Sequence, residues 1–401
     1  MNKKISLGLA LALIIMAVTA TFAATMAISK QVYNGIINNI SQRSQTYASV
    51  DEISKLVSNY YYGTVSDSNV LNSALTEGYV DGLGDPNSRY LTAAEYAAYT
   101  ARLESGVTGI GVETTYDLQG DRLVITYVHD GSPAQESGLV AGDAITAVNG
   151  EAVTSKNVAS MQAALFGNRL STVKVEYERA GVTREVEPML GFAAPSVRGE
   201  LIGNTALIKI GGFYKNTADE LKTLIGRLRD SGAQSIIFDV RNVSDGTVDY
   251  AAQAIDVLVP TVEGNLAVAR DKNGNVYKNK VYTAENNSVP MPFLVLINSN
   301  TAGPAELFAA DLRDISHAQL VGTQSAGVGT MQELFPLEDG GAVLLTVALL
   351  EPKGGASAVW DGTGLVPGVP VQLTNGNDRT LELLAQTQDQ QLTSALNMLQ
   401  S

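Results

Sequence analysis

Apolar positions in this chain recur with two different periods, which predict a helical N-terminal region followed by a strand-rich module. Residues 29–60 and Leu71–Leu83 carry apolar side chains three and four positions apart, as amphipathic helices do. Between Gly106 and Leu190 the pattern changes to short strands separated by glycine turns, for example the alternating run Arg122–Val128. We therefore expect at least two regions of different secondary structure.

Beyond residue 190 the pattern predicts alternating strands and helices. The predicted elements are strands Thr205–Ile210, Ser235–Val240, Pro292–Asn298, Gln319–Gly322 and Val343–Leu349, and helices Thr217–Arg229, Asp249–Leu258 and Ala305–Arg313. Such βαβ units imply a mainly parallel sheet covered by helices. The tail Asp378–Gln400 is predicted to be helical and to pack back on this domain. The expected fold class is α/β.

The N-terminus is typical of an export signal that stays in the membrane. Lys3 and Lys4 precede the uncharged stretch Ile5–Ile28, which is long enough to span a bilayer. We expect an uncleaved anchor in the cell membrane, with the bulk of the chain extracytoplasmic. Secretion after cleavage is the alternative, because small residues at Val18–Ala20 offer a cleavage site.

Composition excludes several classes of function. The 401 residues are 45% hydrophobic and leave room for two or three domains, while a net charge of −14 argues against a nucleic-acid partner. The chain has no cysteine, which excludes disulfides and thiolate metal sites. His129 and His317 lie far apart in no metal-binding motif, so we expect neither a metal nor a cofactor.

The run Gly131–Val153, GSPAQESGLVAGDAITAVNGEAV, resembles a PDZ domain in the circularly arranged form found in bacterial proteases. Before it, Gly109, Ile110, Gly111 and Val112 occupy the position of that family's carboxylate-binding loop. Glycines there let main-chain N–H groups converge on a terminal carboxylate, while the next strand adds a peptide to the sheet edge. An ordinary glycine-rich start of a strand is the alternative interpretation.

Four further motifs extend the resemblance to residues 47–399. They are Gly84–Leu91 (GDPNSRYL), Ile210–Phe213 (IGGF), Asp239–Gly246 (DVRNVSDG) and Gly362–Pro367 (GTGLVP). In this order and spacing they resemble the carboxyl-terminal processing (tail-specific) serine protease family. The resemblance implies a PDZ domain inserted beside a crotonase-like α/β core.

The implied domains are an anchor at 1–28, a helical region at 29–105, a PDZ domain at 106–190, a protease-like core at 191–375 and a C-terminal helix at 376–401. The resemblance also locates the catalytic positions. The family's nucleophilic serine aligns with Gly303, and its general-base lysine, 25 residues downstream, aligns with Val328. Neither residue can act as nucleophile or base. Asp245 replaces a glycine at the family's oxyanion site, where a carboxylate would repel the developing negative charge.

We therefore expect no catalytic residue, and a pseudoprotease that binds protein C-terminal tails through its PDZ domain. One alternative is an active serine endopeptidase with a relocated nucleophile, for which Ser299, Thr301, Ser325 and Lys353 lie near the lost site in sequence. Another is a structural envelope protein. The expected partners are protein or peptide C-termini, the membrane through the N-terminal helix, and an active protease relative.

Overall fold

A computed structural model describes residues 21, 26, 47–64, 68–167, 170–260, 265–285, 289–353, 360–374, 378–384 and 386–400. The chain divides into two units, Met1–Asn72 and Ser73–Ser401. In the first unit, residues 47–60 are helical. The predicted anchor at 1–28 lies outside the described residues apart from positions 21 and 26. None of the helices among the described residues combines the length and apolar character needed to cross a bilayer.

The helices are α1 (residues 47–60), α2 (Ser68–Asp81), α3 (Ala93–Ser105), α4 (Pro133–Glu136), α5 (Val158–Ala164), α6 (Thr217–Asp230), α7 (Val248–Asp256), α8 (Pro304–Ser316) and α9 (Gln390–Gln400). The strands are β1 (Arg89–Leu91), β2 (Thr108–Gly109), β3 (Val112–Asp117), β4 (Arg122–Val128), β5 (Ala144–Val148), β6 (Glu151–Ala152), β7 (Val175–Arg179), β8 (Val182–Val186), β9 (Phe192–Ala193), β10 (Val197–Ile202), β11 (Thr205–Ile210), β12 (Ser235–Asp239), β13 (Ala267–Arg270), β14 (Val276–Tyr282), β15 (Phe293–Ile297), β16 (Gln319–Gly322), β17 (Thr330–Pro336), β18 (Ala342–Pro352) and β19 (Val369–Pro370).

The centre of the second unit is a six-stranded sheet in the order β10-β11-β12-β15-β16-β19. All its pairings are parallel except that of β10 with β11. Phe238 and its neighbours on one face pack against α6, α7 and α8, whereas Ile237 on the other face packs against α9. Helices therefore cover both faces, as continuous buried strands require.

The predicted α/β class is confirmed as a mixed α/β fold, but the crotonase-like parallel core is not, because the other sheets are antiparallel. One of these has the order β1-β18-β13-β14, with β17 also paired to β18. Its strand β1 ends the motif Gly84–Leu91. The Asp85 carboxylate holds the Ser88 hydroxyl, whose oxygen accepts the Thr346 N–H of β18 at 2.9 Å. The turn thus seats β1 on a strand more than 250 residues away in sequence.

The segment 106–190 forms the predicted strand-rich module. Its main sheet has the order β3-β4-β5-β7-β8, and its own buried core includes Ile110, Val112 and Leu165. Two helices here and just before it begin at residues that cap them. Ser132 caps α4, and Thr92 and Glu95 form a reciprocal capping box at α3.

The tail Asp378–Gln400, predicted to be helical, is helical but is not one continuous helix. The described part of this tail consists of 3₁₀ turns at Asp378–Leu383 and Gln386–Gln388, and only then α9. The break has a physical cause in the core. The buried Arg241 guanidinium binds both Asp389 and Gln391, which fixes the start of α9 at this point.

Candidate functional site

Gly303 lies at the turn between β15 and α8, where the family's nucleophile is expected. It is the residue preceding the first turn of α8, with φ 56° and ψ −115°, a conformation that favours glycine. A Cβ atom built on Gly303 would meet no other atom within 4 Å. The site therefore has room for a side chain, and the sequence supplies none.

The buried carboxylate of Glu306 joins this position to that of the expected base. Its Oε2 accepts the Gly303 N–H at 3.0 Å and the Val328 N–H at 2.7 Å. Its Oε1 accepts the Gly327 N–H at 2.8 Å and the Ser325 hydroxyl. Burial raises the pKa of Glu306, although these four donors oppose the rise. The structure thus brings the main chains of Gly303 and Val328 together on one carboxylate, and a hydrogen-bond network lies between them.

The hydroxyl groups considered as relocated nucleophiles have structural partners. The Thr301 hydroxyl is fully buried and donates to the Val240 carbonyl at 2.9 Å. Ser325 donates to Glu306 and accepts the Leu365 N–H at 2.6 Å. Ser299, which is exposed, bonds to the Asp378 carboxylate at 3.1 Å. These contacts give each hydroxyl a role in holding loops together.

The charge of Lys353, the candidate base, acts on the buried Asp311 of α8. Asp245, expected at the oxyanion site, is directed towards cationic and phenolic groups. Its Oδ2 accepts from Arg102 Nη1 of α3 and from the Tyr214 hydroxyl, each at 2.8 Å. Burial, together with the Asp245 charge, raises the pKa of Tyr214. A carboxylate paired in this way is neutralised by Arg102.

The second part of the candidate site is the groove between the free edge of β3 and the helix α5. Among the described residues β3 pairs with β4 alone, which leaves its other edge open. Val112 and Thr114 direct their main-chain groups to this edge. Thr114 lies opposite Ile125, whose N–H and C=O bond to Asp143 and Gly142 on the other side of β4. The open edge can therefore accept another strand.

The predicted carboxylate-binding residues Gly109, Ile110, Gly111 and Val112 lie together at the start of β3. In this conformation the Ile110 N–H donates to the Leu165 carbonyl at the end of α5, at 3.1 Å. A Cβ atom on Gly109 would approach the same oxygen to 2.4 Å, so the chain fits closely here. The Ile110 N–H could donate to another acceptor only if it left the Leu165 carbonyl, at a cost of about one hydrogen bond, or about 1 kcal/mol.

A cavity of about 520 Å³ is lined on one side by the strand-rich module and on the other by the central sheet and its loops. On its wall Arg198 of β10 binds both Glu113 of β3 and Glu382 of the tail, and its guanidinium lies 3.9 Å from the centre of the Tyr127 ring. Burial opposes ionisation of Glu113, but hydrogen bonds and the Arg198 charge lower its pKa to about 2. The bonds that hold this wall cross from the strand-rich module to the core. Sequence patterns carry no signal for such cross-domain pairs.

Comparison with known protein families agrees with this architecture. Residues 204–371 match the model of peptidase family S41, and residues 106–189 match that of the PDZ domain. The chain therefore contains a peptidase family S41 domain and a PDZ domain. The resemblance inferred from its motifs is thereby confirmed.

Two S41 relatives give the extent of the similarity. The carboxy-terminal processing protease CtpA of Bacillus subtilis is 30% identical over 291 residues, which are 72% of this chain and 61% of the relative. A CtpA-like protein of Staphylococcus haemolyticus is 27% identical over 86% of this chain and 68% of its own length. The chain thus spans about two thirds of the length of the curated relatives it matches.

Solved S41 structures have the same fold. The photosystem II D1 C-terminal processing protease is 26% identical and superposes with a TM-score of 0.50, covering 79% of this chain and 86% of its own. A protein of Bacteroides fragilis assigned to family S41 gives a TM-score of 0.57 at 20% identity, covering 81% and 90%. At 20% identity, the similarity to the Bacteroides fragilis protein shows a shared fold only.

Proposed function

We propose that this S41 chain is a membrane-anchored, extracytoplasmic pseudoprotease that binds the C-terminal tails of proteins through its PDZ domain without hydrolysing them. The observation that carries the proposal is that the chain combines an open groove with catalytic positions that lack reactive side chains. The β3 edge is free to add a strand, while the positions of nucleophile and base hold Gly303 and Val328. The parallel part of the central sheet supports a crotonase-like core within this proposal.

The absence of hydrolysis follows from the chemistry of the two positions. A serine–lysine mechanism needs a hydroxyl and an amine with a lowered pKa within hydrogen-bonding reach. Loss of the nucleophile alone costs about a million-fold in turnover. The nearby hydroxyls of Thr301 and Ser325 are committed to the Val240 carbonyl and to Glu306.

Tail binding is supported by the arrangement of main-chain groups around the groove. A peptide that adds to β3 would form ladder hydrogen bonds at Val112 and Thr114, and its carboxylate would meet the N–H groups of the Gly109–Val112 loop. The apolar stretch Ile5–Ile28 behind Lys3 and Lys4 supports the membrane location. An active S41 relative in the same cell is a candidate partner.

The test measures binding and cleavage together. The full chain in detergent is titrated with a fluorescent peptide that has an apolar free C-terminus, and with its C-terminally amidated form. Hydrogen bonds to a charged acceptor contribute about 1.5–3 kcal/mol, so amidation should weaken binding at least about tenfold. Chromatography of the same samples should recover both peptides intact.

Equal affinity of the two forms would contradict tail recognition and favour a structural role. Hydrolysis above background that Ser325→Ala or Thr301→Ala abolishes would show instead that the chain is an active peptidase with a relocated nucleophile.

A further inference from the structure

The helix α1, in the first of the two units, has an apolar face that is exposed to solvent. Its apolar side chains all project from one half of the helix surface: Tyr47, Val50, Ile53, Leu56, Val57 and Tyr60. The four largest of them are between 52% and 79% exposed. Asp51, Glu52 and Lys55 occupy the opposite half, so α1 is amphipathic and most of its apolar half faces solvent.

A helix of this length needs a partner for its apolar face. Isolated helices shorter than about 12–15 residues are marginal in water, and packing of the apolar face supplies most of the stability of a helix in a protein. The ion pair of Asp51 with Lys55 on the polar half is exposed and contributes little. The apolar half of α1 is therefore an interaction surface.

The spacing of residues along this face is that of a coiled coil. Val50, Ile53, Val57 and Tyr60 stand at positions a and d of two consecutive seven-residue repeats. The outward b, c and f positions between them are all polar: Asp51, Glu52, Lys55, Ser58 and Asn59. Such a seam is complementary to a copy of itself, because each a or d side chain inserts into a hole formed by four residues of the facing helix.

The exposed area is sufficient for two copies to pair. A half-exposed tyrosine, isoleucine or leucine side chain offers on the order of 100 Å². The apolar faces of two α1 helices would therefore bury roughly 1,000 Å² together, which is the lower limit for a specific interface. A bilayer surface fits less well, because helices that lie on membranes have polar faces rich in Lys and Arg, whereas the polar half of α1 holds two acids and one lysine.

The proposed membrane anchor, on which this step rests, sets the direction of the two helices. Residues 29–46 connect the anchor to α1 in every copy, so copies in one membrane enter α1 from the same side. The shared membrane also raises the effective concentration of one copy for the other. We propose that α1 is the contact surface for a second copy of this chain, and that two α1 helices pair in parallel and in register along Val50, Ile53, Val57 and Tyr60.

Single-cysteine variants of the full chain in lipid vesicles test the pairing, because the natural chain has no cysteine. Val50→Cys and Tyr60→Cys, at the two ends of the seam, should each form a covalent dimer under mild oxidation, since each residue faces its own copy only in a parallel pair in register. An antiparallel pair would bring residue 50 beside residue 60 instead. Glu52→Cys is the matched control on the polar half, and it should cross-link at least about tenfold more slowly.

A substitution within the seam tests the same pairing through its strength. Ile53→Asp, added to Tyr60→Cys, removes one apolar side chain from each helix of the pair. It should raise the dissociation constant of the pair about a hundredfold and slow the cross-linking accordingly. Ser58→Asp places the same new charge on the polar half and should leave the cross-linking rate of Tyr60→Cys unchanged.

The pattern of cross-linking decides the inference. Equal rates at residues 50, 52 and 60 would indicate random collision and overturn it. Cross-linking at neither 50 nor 60 would overturn it as well, and would show that the same chain or the bilayer covers the face. Sedimentation of the vesicles tests the anchor separately: if the chain stays in solution while both seam variants cross-link, the proposed anchor fails and the pairing stands.

Discussion

Removing the buried cation Arg241 should destabilise the core strongly and change its response to acid. The Arg241 side chain is fully buried and binds the Asp239 and Asp389 carboxylates, with Nη2 distances of 2.6 Å and 2.8 Å. Arg241→Met removes the cation that Asp389 binds and leaves Asp239 with only the more distant Lys209 ammonium, 3.8 Å away. Breaking a buried ion pair from one side costs about 3–5 kcal/mol, so we expect a loss of that order in the free energy of unfolding at pH 7.

The pH dependence of the free energy of unfolding gives a second expected magnitude, which concerns Asp239. Burial opposes ionisation of Asp239, but the charge and hydrogen bonds of Arg241 lower its pKa from 3.8 to about 2. A carboxyl with a lowered folded-state pKa stabilises the protein above its unfolded pKa, and this contribution is lost as pH falls through the folded value. For Asp239 the loss is roughly 2 kcal/mol between about pH 4 and pH 2.

The assay is urea unfolding at pH 7, 4 and 3, followed by the fluorescence of Trp360, the single and buried tryptophan. The wild-type chain should lose stability from pH 4 to 3, while Arg241→Met should lose less because the pair is already absent. Arg229→Met removes an exposed cation of α6 and serves as the control. A loss below about 1 kcal/mol for Arg241→Met, or an unchanged acid response, would refute the reasoning.

Three further predictions concern single positions. Burial raises the pKa of Asp311, whose carboxylate has no hydrogen-bond partner within the described residues. The stability that this carboxyl group contributes at low pH is therefore lost as the pH rises through its folded-state pKa. Relative to wild type, Asp311→Asn should gain stability from pH 4 to 8. Gly303→Ser should fold, at a cost of about 1–3 kcal/mol for its backbone conformation at positive φ. It should stay inactive in peptide hydrolysis because Val328 supplies no base. Gly111→Leu should destabilise the PDZ domain in thermal unfolding, because its Cβ would lie 2.3 Å from Ser132 Cβ.

Each of these has a clear contrary result. A stability difference for Asp311→Asn that is constant with pH would show that this carboxyl does not titrate differently in the folded state. Peptide turnover by Gly303→Ser would reveal a base that the structure does not place there. An unchanged melting temperature for Gly111→Leu would mean that the loop can move away from Ser132.

Local periodicity predicted the elements whose burial depends on their own sequence. Helix α6 follows Leu221, Leu224, Ile225 and Leu228, all of which are buried. Strand β1 was missed because three residues become a strand only by pairing with β18, far along the chain. The broken tail was missed for the same reason, since its break depends on Arg241.

The candidate site was predictable to the extent that motifs mark it. The resemblance located Gly303 and Val328, and the structure places both main chains on Glu306. The pairing of Asp245 with Arg102 depends on the packing of α3 against the core, which no spacing along the chain reveals.

The most direct test of non-catalytic tail binding is hydrogen exchange with mass spectrometry on the full chain. The outward amides of Val112 and Thr114 should exchange faster before a free-acid peptide is added than after it, because the bound strand would accept hydrogen bonds from them. The account predicts protection of the β3 segment by the free-acid peptide, little by its amidated form, and recovery of the peptide at full mass. Unchanged exchange in β3, or a shortened peptide, would contradict it.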